Sequence, residues 1–540
     1  MSKVGNVGVG LGSASLYYAS TAHPFIDRMK TAGSGNAEGP WLKAVGNVVA
    51  PTNSNLYPSG VVDYFAGVIT YIAVDGPDHP ATQRYVLLHN TDWTFSMSNI
   101  VSTAAGRVVF DAAPDYDNGW RQRINVATAP TPATNSTYIR VIREDQEALY
   151  NSEKLAGEIE PFNPEFTEYM SPLSCLRFMD WGNTNRNGRS TWASRPSLTQ
   201  MSWGGEAPTE IMVALCNKTQ TNMWYCLPDL YTDAAVTSVV QYIKANLNAP
   251  QKLYLEYSNE TWNWIFDATQ RNFIKGREAP LPADTEAPEK VYAGYRGAQM
   301  MAVAIAAWGS ERERLVTTLG FQTVMKAYAL DRAKHGTTLA GYAMSDVWDA
   351  GSVAWYFGAV NGNSEVSRPV ILNWAATGET GMVAAFHQNY YGDTPGFTFD
   401  DNFASVLGNK EMHDYWGPAL AAEGMSMIGY EGGPSLEPYT FPSNDQPAHI
   451  ELLRRMNADP RMGEQMHTVL NNFRAAGGEL AVKYLDFGIE NYYPWTTWYN
   501  NYTQTTQGDA LYAFQNGEGV IVPPSLLGGG YARRLSRLFP

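Results

Sequence analysis

Three features of the 540-residue chain predict an α/β fold, a (β/α)8 (TIM) barrel with an inserted all-β, sandwich-like domain. After about residue 150, short apolar runs alternate with longer amphipathic stretches. Between about 41 and 150 the texture changes to closely spaced β-type runs separated by Gly, Pro, Asp and Asn. An apolar run already opens the chain before that change, so the barrel begins ahead of the insertion. The predicted organisation is a first βα unit over 1–40, the inserted β domain over 41–150, and the rest of the barrel with long rim loops over 151–540.

Taken in order, Val4–Leu11 is the first predicted strand, and the apolar spacing of Pro24–Ala32 suits a helix. The glycines Gly8 and Gly10 approach a dinucleotide-binding fingerprint, but Ser13 stands where its third glycine belongs. Gly67–Ala73, Arg84–Leu88, Arg107–Phe110 and Ser136–Ile142 read as strands of the insertion. Barrel strands follow at Leu176–Met179, Met223–Leu227, Lys252–Tyr257, Leu315–Leu319, Ser352–Tyr356, Met425–Tyr430 and Leu480–Leu485, which completes eight. Val236–Leu247, Ala298–Ala307 and Gly463–Ala476 are amphipathic helices between them, and Asn361–Gly381 and Asn491–Val522 read as rim loops.

Bulk composition narrows the function. A hydrophobic fraction of 44% supplies a large core and argues against disorder. The balance of 38 basic against 53 acidic residues, net −15, argues against nucleic acid or an anionic membrane as partner. Sixteen Trp and 32 Tyr suit either a carbohydrate cleft lined with flat rings or a large aromatic core. Cys175, Cys216 and Cys226 form neither a disulfide framework nor a zinc motif and read as buried thiols. With no signal-peptide core and no transmembrane window, the expectation is a soluble, cytoplasmic or phage-particle-associated protein, on which the Asn-x-Ser/Thr matches at Asn135 and Asn259 are chance.

Catalytic groups of barrel enzymes sit at the C-terminal ends of strands. The fourth predicted strand runs into Tyr257-Ser-Asn-Glu260-Thr-Trp262-Asn-Trp264, and the seventh into Gly429-Tyr-Glu431-Gly-Gly-Pro434. Each delivers one carboxylate to the same rim among aromatics and glycines. A pair of carboxylates serves glycosidic chemistry because one must protonate the leaving oxygen while the other meets the positive charge developing at the sugar carbon. From position alone the two are equally readable as ordinary solvated carboxylates.

An Asn-Glu pair ending strand four and a lone Glu ending strand seven resemble the clan A glycoside hydrolases. More narrowly, Leu176-Arg-Phe-Met-Asp-Trp181 with Thr184-Asn185, Tyr257-Ser-Asn-Glu-Thr-Trp-Asn263 and Tyr356-Phe-Gly358 resemble a set of such barrels from microbial and phage genomes. The likeness covers most of 150–490 and the first βα unit. It implies a retaining hydrolase acting on an oligo- or polysaccharide, more often β-linked, with Glu260 as acid/base, Glu431 as nucleophile and no metal or cofactor. It further implies that Asn259 bonds the sugar 2-hydroxyl and that Arg177 faces Glu431 and keeps it ionised, unless Arg177 belongs to a structural ion pair. Ionised Glu431 would in turn raise the pKa of Glu260. Tyr356 is the implied donor to Glu431, in competition with Tyr342 and Tyr391. Trp495, after strand eight, is the implied floor of the cleavage subsite. Trp181, Trp262 and Trp264 are stacking or packing residues, while Asp180 and Asn185 are candidates for outer hydroxyls.

Other enzyme classes lack their signatures: there is no His-Glu-x-x-His helix, no Gly-x-Ser-x-Gly elbow and no phosphate-binding Gly-Lys-Ser/Thr loop. Scattered histidines such as His387 and His413 have no ligand spacing. The competing reading is a non-catalytic carbohydrate-binding or virion-associated adhesion protein on the same scaffold.

Overall fold

The computed structural model describes residues 6–12, 22–32, 42–43, 68–74, 83–112, 121–130, 138–278, 280–361, 365–436, 442–488 and 505–519. Eight parallel strands close into a barrel: β1 (Val7–Gly10), β10 (Cys175–Arg177), β11 (Asn222–Leu227), β12 (Leu253–Tyr257), β13 (Leu315–Gly320), β14 (Ala350–Phe357), β15 (Ser426–Pro434) and β16 (Gly478–Lys483). Their order around the barrel is their order in the chain, and β16 closes on β1 through Val7, Gly8 and Val9. All eight overlap the predicted strands. Parallel barrel strands are covered on both faces and therefore read as nearly continuous apolar runs.

Alternation along each strand separates two cores. Cys175, Trp224, Cys226, Tyr254, Ile428, Leu480 and Val482 fill the barrel interior. Residues one position away, such as Leu176, Met223, Leu255, Val353 and Ala481, pack outward beneath the helices. Those helices include Thr209–Thr219, Asp233–Asn246, Pro288–Trp308, Lys326–Leu339, Val406–Ala422 and Pro460–Ala475.

Between β1 and β10 lie two four-stranded antiparallel sheets. One has the order β2 (Leu42–Lys43), β3 (Val68–Ala73), β8 (Arg121–Thr128), β5 (Thr94–Ser96); the other β6 (Ile100–Ala104), β7 (Arg107–Asp111), β4 (Arg84–His89), β9 (Ile139–Arg143). Ile72, Tyr85, Leu87, Trp93, Phe110, Ile124 and Val141 form their shared core, joined by Met29 and Met201 from the barrel side. Four of these strands match predicted runs. The others, β2, β5, β6 and β8, are short or too polar to stand out.

Three local expectations are corrected. Pro24–Ala32 is not a helix: only Arg28–Thr31 forms a single 3-10 turn, and its four residues are all buried. The segment is tied on several sides instead. Phe25 bridges Phe162, Ile26 N–H donates to the Pro161 carbonyl, and the Asp27 carboxylate accepts from the N–H groups of Met29 and Val141. Asn361–Gly381 is not a continuous loop, because helices run over Arg368–Ala376 and Gly378–Tyr391, the first with proline in its opening turn. Within Asn491–Val522, residues 489–504 lie outside the described residues, and Thr506–Asn516 is a helix whose Thr505 hydroxyl accepts from Gly508 N–H.

Candidate active site

The site is built from an arginine upward. Arg177 ends β10, points into the barrel and is 1% exposed. A buried guanidinium needs acceptors. Its Nη2 donates to Glu256 Oε2 at 2.8 Å and to Asn259 Oδ1 at 2.6 Å, its Nε donates to Glu256 Oε2 at 3.2 Å, and its Nη1 reaches Glu431 Oε2 at 3.5 Å. The rings of Tyr430 and Trp224 flank it at 5.2 and 5.6 Å from their centroids.

Glu256, in the middle of β12, is the residue that sequence reasoning missed. Its Oε2 also accepts from Trp224 Nε1 at 2.9 Å and Cys226 Sγ at 3.2 Å. The available signal was a lone charge within the apolar run Leu253-Tyr-Leu-Glu-Tyr257, at an inward-facing position of a strand buried on both faces.

Beyond β12 the chain turns sharply, with positive φ at Ser258 (55°) and Glu260 (35°). Neither is glycine, so the turn holds backbone in a disfavoured region, as functional sites often do. Glu260 emerges with both carboxylate oxygens held: Oε1 accepts from Tyr430 Oη at 2.6 Å and Oε2 from Asn263 Nδ2 at 2.9 Å. Asn259 is buried, and its Nδ2 donates to Asn185 Oδ1 at 2.8 Å, so Asn185 and Arg177 fix its amide from both ends.

On the opposite wall a β-bulge aims two consecutive residues inward. Along the β14–β15 pairing, Val353 faces Gly429 but Ala354 faces Glu431, leaving Tyr430 as the extra residue. Tyr430 thereby reaches Glu260, and Glu431 reaches Arg177. The glycines that follow are required by close approach. A Cβ at Gly432 would lie 2.3 Å from the Trp355 ring, and one at Gly433, where φ is +124°, would lie 2.6 Å from the Lys483 stem.

Glu431 is nearly buried. Burial first, then the negative charge of Glu260, push its carboxyl up to about 8, against the opposing pull of Arg177 and a hydrogen bond from Tyr356. Arg177 faces Glu431 and favours its ionised form, while burial and Glu260 act in the opposite direction. The guanidinium is shared, and its short bonds go to Glu256 and Asn259. Tyr356, on β14, faces Glu431 closely enough to favour its ionised form. Tyr342 precedes β14 and so lies toward the other end of the barrel, and Tyr391 packs against Tyr390 and His387 at the end of its helix.

The remaining candidates separate. Trp262 meets Tyr430 edge-on at 6.3 Å and stands over Gly320, inside the mouth. Trp264 is 54% exposed on the outer rim, edge-on to Phe273. Trp181 is 1% exposed and packs on Phe25 and Phe178, which is a core position. Asp180, following β10, is pushed up to about 6 by burial, with Arg177 acting in the opposite direction. Trp495 lies outside the described residues. Among the described residues no group of His, Cys, Asp and Glu is placed to hold a metal ion, and no helix is long and apolar enough to cross a membrane.

No family model matches the chain, and no curated protein matches it in sequence. Among solved structures it is similar to a xylanase 10C from Cellvibrio japonicus in complex with xylopentaose, at 10% identity over 90% of this chain and 99% of that one, TM-score 0.35. It is also similar to the N-terminal endo-1,4-beta-D-xylanase 10B of Clostridium thermocellum complexed with xylohexaose, at 10% identity over 94% and 98%, TM-score 0.35. A broad-specificity endoglucanase from Clostridium acetobutylicum is similar at 9% identity over 66% and 90%, TM-score 0.34.

Proposed function

We propose that the chain is a retaining glycoside hydrolase that cleaves a β-linked oligo- or polysaccharide by double displacement. The observation that carries this reading is the arrangement of Glu260, just beyond β12, and Glu431, at the bulge of β15. Each has its own set of donors, and they are close enough for the charge of one to raise the pKa of the other.

In this reading the pair holds one proton near neutral pH. Glu260 transfers it to the leaving-group oxygen while an oxygen of ionised Glu431 attacks the anomeric carbon, and the glycosidic bond breaks. Glu260, now a carboxylate, takes a proton from water. The resulting hydroxide oxygen bonds the anomeric carbon and displaces Glu431. Arg177 and Tyr356 stabilise the negative charge of Glu431, and Tyr430 and Asn263 orient Glu260. Asn259 keeps one amide hydrogen for the sugar 2-hydroxyl, since only the other is used on Asn185. Trp262 is the stacking ring inside the mouth, and Trp495 is assigned to the floor of the cleavage subsite by resemblance. We also assign 1–40 and 151–540 to the catalytic barrel and 41–150 to an accessory β module.

The test is a panel of polysaccharides incubated with the protein, reading reducing ends by mass spectrometry and the first-formed anomer by proton NMR. Release of product with retained configuration, abolished in Glu260→Gln and Glu431→Gln, supports the proposal. Inverted product removes the nucleophile role from Glu431. Binding of an oligosaccharide with no release of reducing ends leaves the carbohydrate-binding reading instead.

A further inference from the structure

A second carboxyl pair stands beside the first, and one of its members was not singled out from the sequence. Asp486 follows β16 and is 1% exposed. Its Oδ1 accepts from Gly12 N–H at 3.0 Å, where β1 ends, and the backbone N–H groups of Phe487 and of Asp486 itself also favour the carboxylate, while its Oδ2 is buried and meets no donor at hydrogen-bond geometry among the described residues. Asp180, just beyond β10, is its neighbour across the end of β1 and acts electrostatically on both Asp486 and Glu431. The Asp180 side chain meets no hydrogen-bond donor among the described residues. A buried carboxyl oxygen left without a partner is costly, and a hydroxylated ligand would relieve that cost.

The local charge limits what the ligand can be. Of the eight barrel strands, only β10 and β16 carry basic residues, Arg177 and Lys483. Arg177 is occupied by Glu256, Asn259 and Glu431. Lys483 is fully buried, donates to the Tyr484 carbonyl, and is pushed well below the usual lysine range by burial. Glu256, Glu260, Glu431, Asp180 and Asp486 thus stand against Arg177 and the buried Lys483; on the segments after β10 and β12, Arg189 and Arg271 are committed to Glu206 and Asp229, and Arg186 is exposed. A sugar carboxylate or sulfate there would meet like charges at low dielectric.

We propose that Asp180 and Asp486 form a pincer that accepts hydrogen bonds from neighbouring hydroxyls of the sugar beside Glu431, so that the protein takes uncharged glycans and rejects uronates. This rests on the hydrolase reading and deepens it. The contact is made on the glycone side and differs from the Asn259 contact to the 2-hydroxyl.

The experiment compares neutral glucan, xylan and mannan oligosaccharides with pectate and alginate oligosaccharides, using the wild type, Asp180→Asn and Asp486→Asn. The asparagine at 486 preserves an acceptor for Gly12 N–H, and thermal melts confirm folding. Cleavage confined to neutral oligosaccharides, with kcat/KM lowered about ten-fold in each variant and most of the loss in KM, is the expected result. Neutral cleavage that both variants retain within two-fold overturns the pincer and leaves the hydrolase reading intact. Preferred cleavage of a uronate, or of a cationic chitosan oligosaccharide, overturns the charge argument. If nothing is cleaved the hydrolase reading fails, and calorimetric titration with the neutral oligosaccharides decides the pincer. Binding weakened by both variants supports it; unchanged binding, or none in the wild type, overturns it.

Discussion

Arg177 and Glu431 meet at 3.5 Å inside the barrel, yet the shorter bonds of that guanidinium go to Glu256 at 2.8 Å and Asn259 at 2.6 Å. The arginine is thus the hub of a buried polar network that joins β10, β12 and β15. Its influence on Glu431 is exerted from a position that Glu256 holds.

Removing the hub should be severe. Arg177→Met leaves Glu256 buried without its cation, a loss of about 3–5 kcal/mol in stability. Arg177→Met combined with Glu256→Gln should recover a substantial part of that stability while remaining inactive. Urea melts of the two variants check this, and a double variant no more stable than the single one would contradict the network.

The pH dependence of stability follows from the raised carboxyl of Glu431. Its folded value of about 8 lies above the ordinary carboxylate range, so folding favours the protonated form. That contribution is fully present below about 4.5 and is lost progressively as pH rises to about 8, at up to ~1.4 kcal/mol per unit. Asp180 and Asp486, raised to about 6 and about 7, act in the same direction. Glu431→Gln should match the wild type near pH 4 and be the more stable protein at pH 8–9. Tm measured against pH for both proteins provides the comparison.

Activity should carry the same signature. The pair gives up its last proton near 8, so kcat/KM should fall above that pH, as expected for an essential acid. Tyr356→Phe removes a hydrogen bond that lowers the Glu431 value, and the alkaline limb should move upward in that variant. A limb that stays in place would separate Tyr356 from the titration.

Tyr430→Phe removes the 2.6 Å bond to Glu260 while leaving the ring against Arg177. A hydrogen bond to a charged group contributes about 1.5–3 kcal/mol, so kcat/KM should fall roughly 10- to 150-fold with little change in Tm. A fall in Tm without a fall in rate would assign Tyr430 to packing alone.

The tryptophans should divide by environment. Trp181→Ala opens a cavity in the core and should cost about 3–5 kcal/mol. Trp262→Ala should act mainly on KM for oligosaccharide, through loss of a ring inside the mouth. Urea melts and Michaelis curves on both variants distinguish the two behaviours.

The barrel was legible in the sequence because its strands are buried on both faces, so apolar runs such as Met223–Leu227 stand out without knowledge of their neighbours. Glu260 and Glu431 were legible as single charges where such runs stop. The helices in Asn361–Gly381 and the short 3-10 turn that replaces a helix in Pro24–Ala32 were not, since both depend on packing against distant segments. What only the tertiary structure decided is who partners whom. Tyr430 reaches Glu260 across 170 residues of chain, through a bulge that a sequence does not mark. Gly12 and Asp486 meet across 474 residues because the barrel closes its last strand on its first. Trp181 sits in the core and Trp262 in the mouth although both follow strand ends. Local pattern determines which residues form a strand and where it ends. Side-chain direction, burial and the sharing of one proton or one guanidinium are set by contacts that closure of the barrel alone creates.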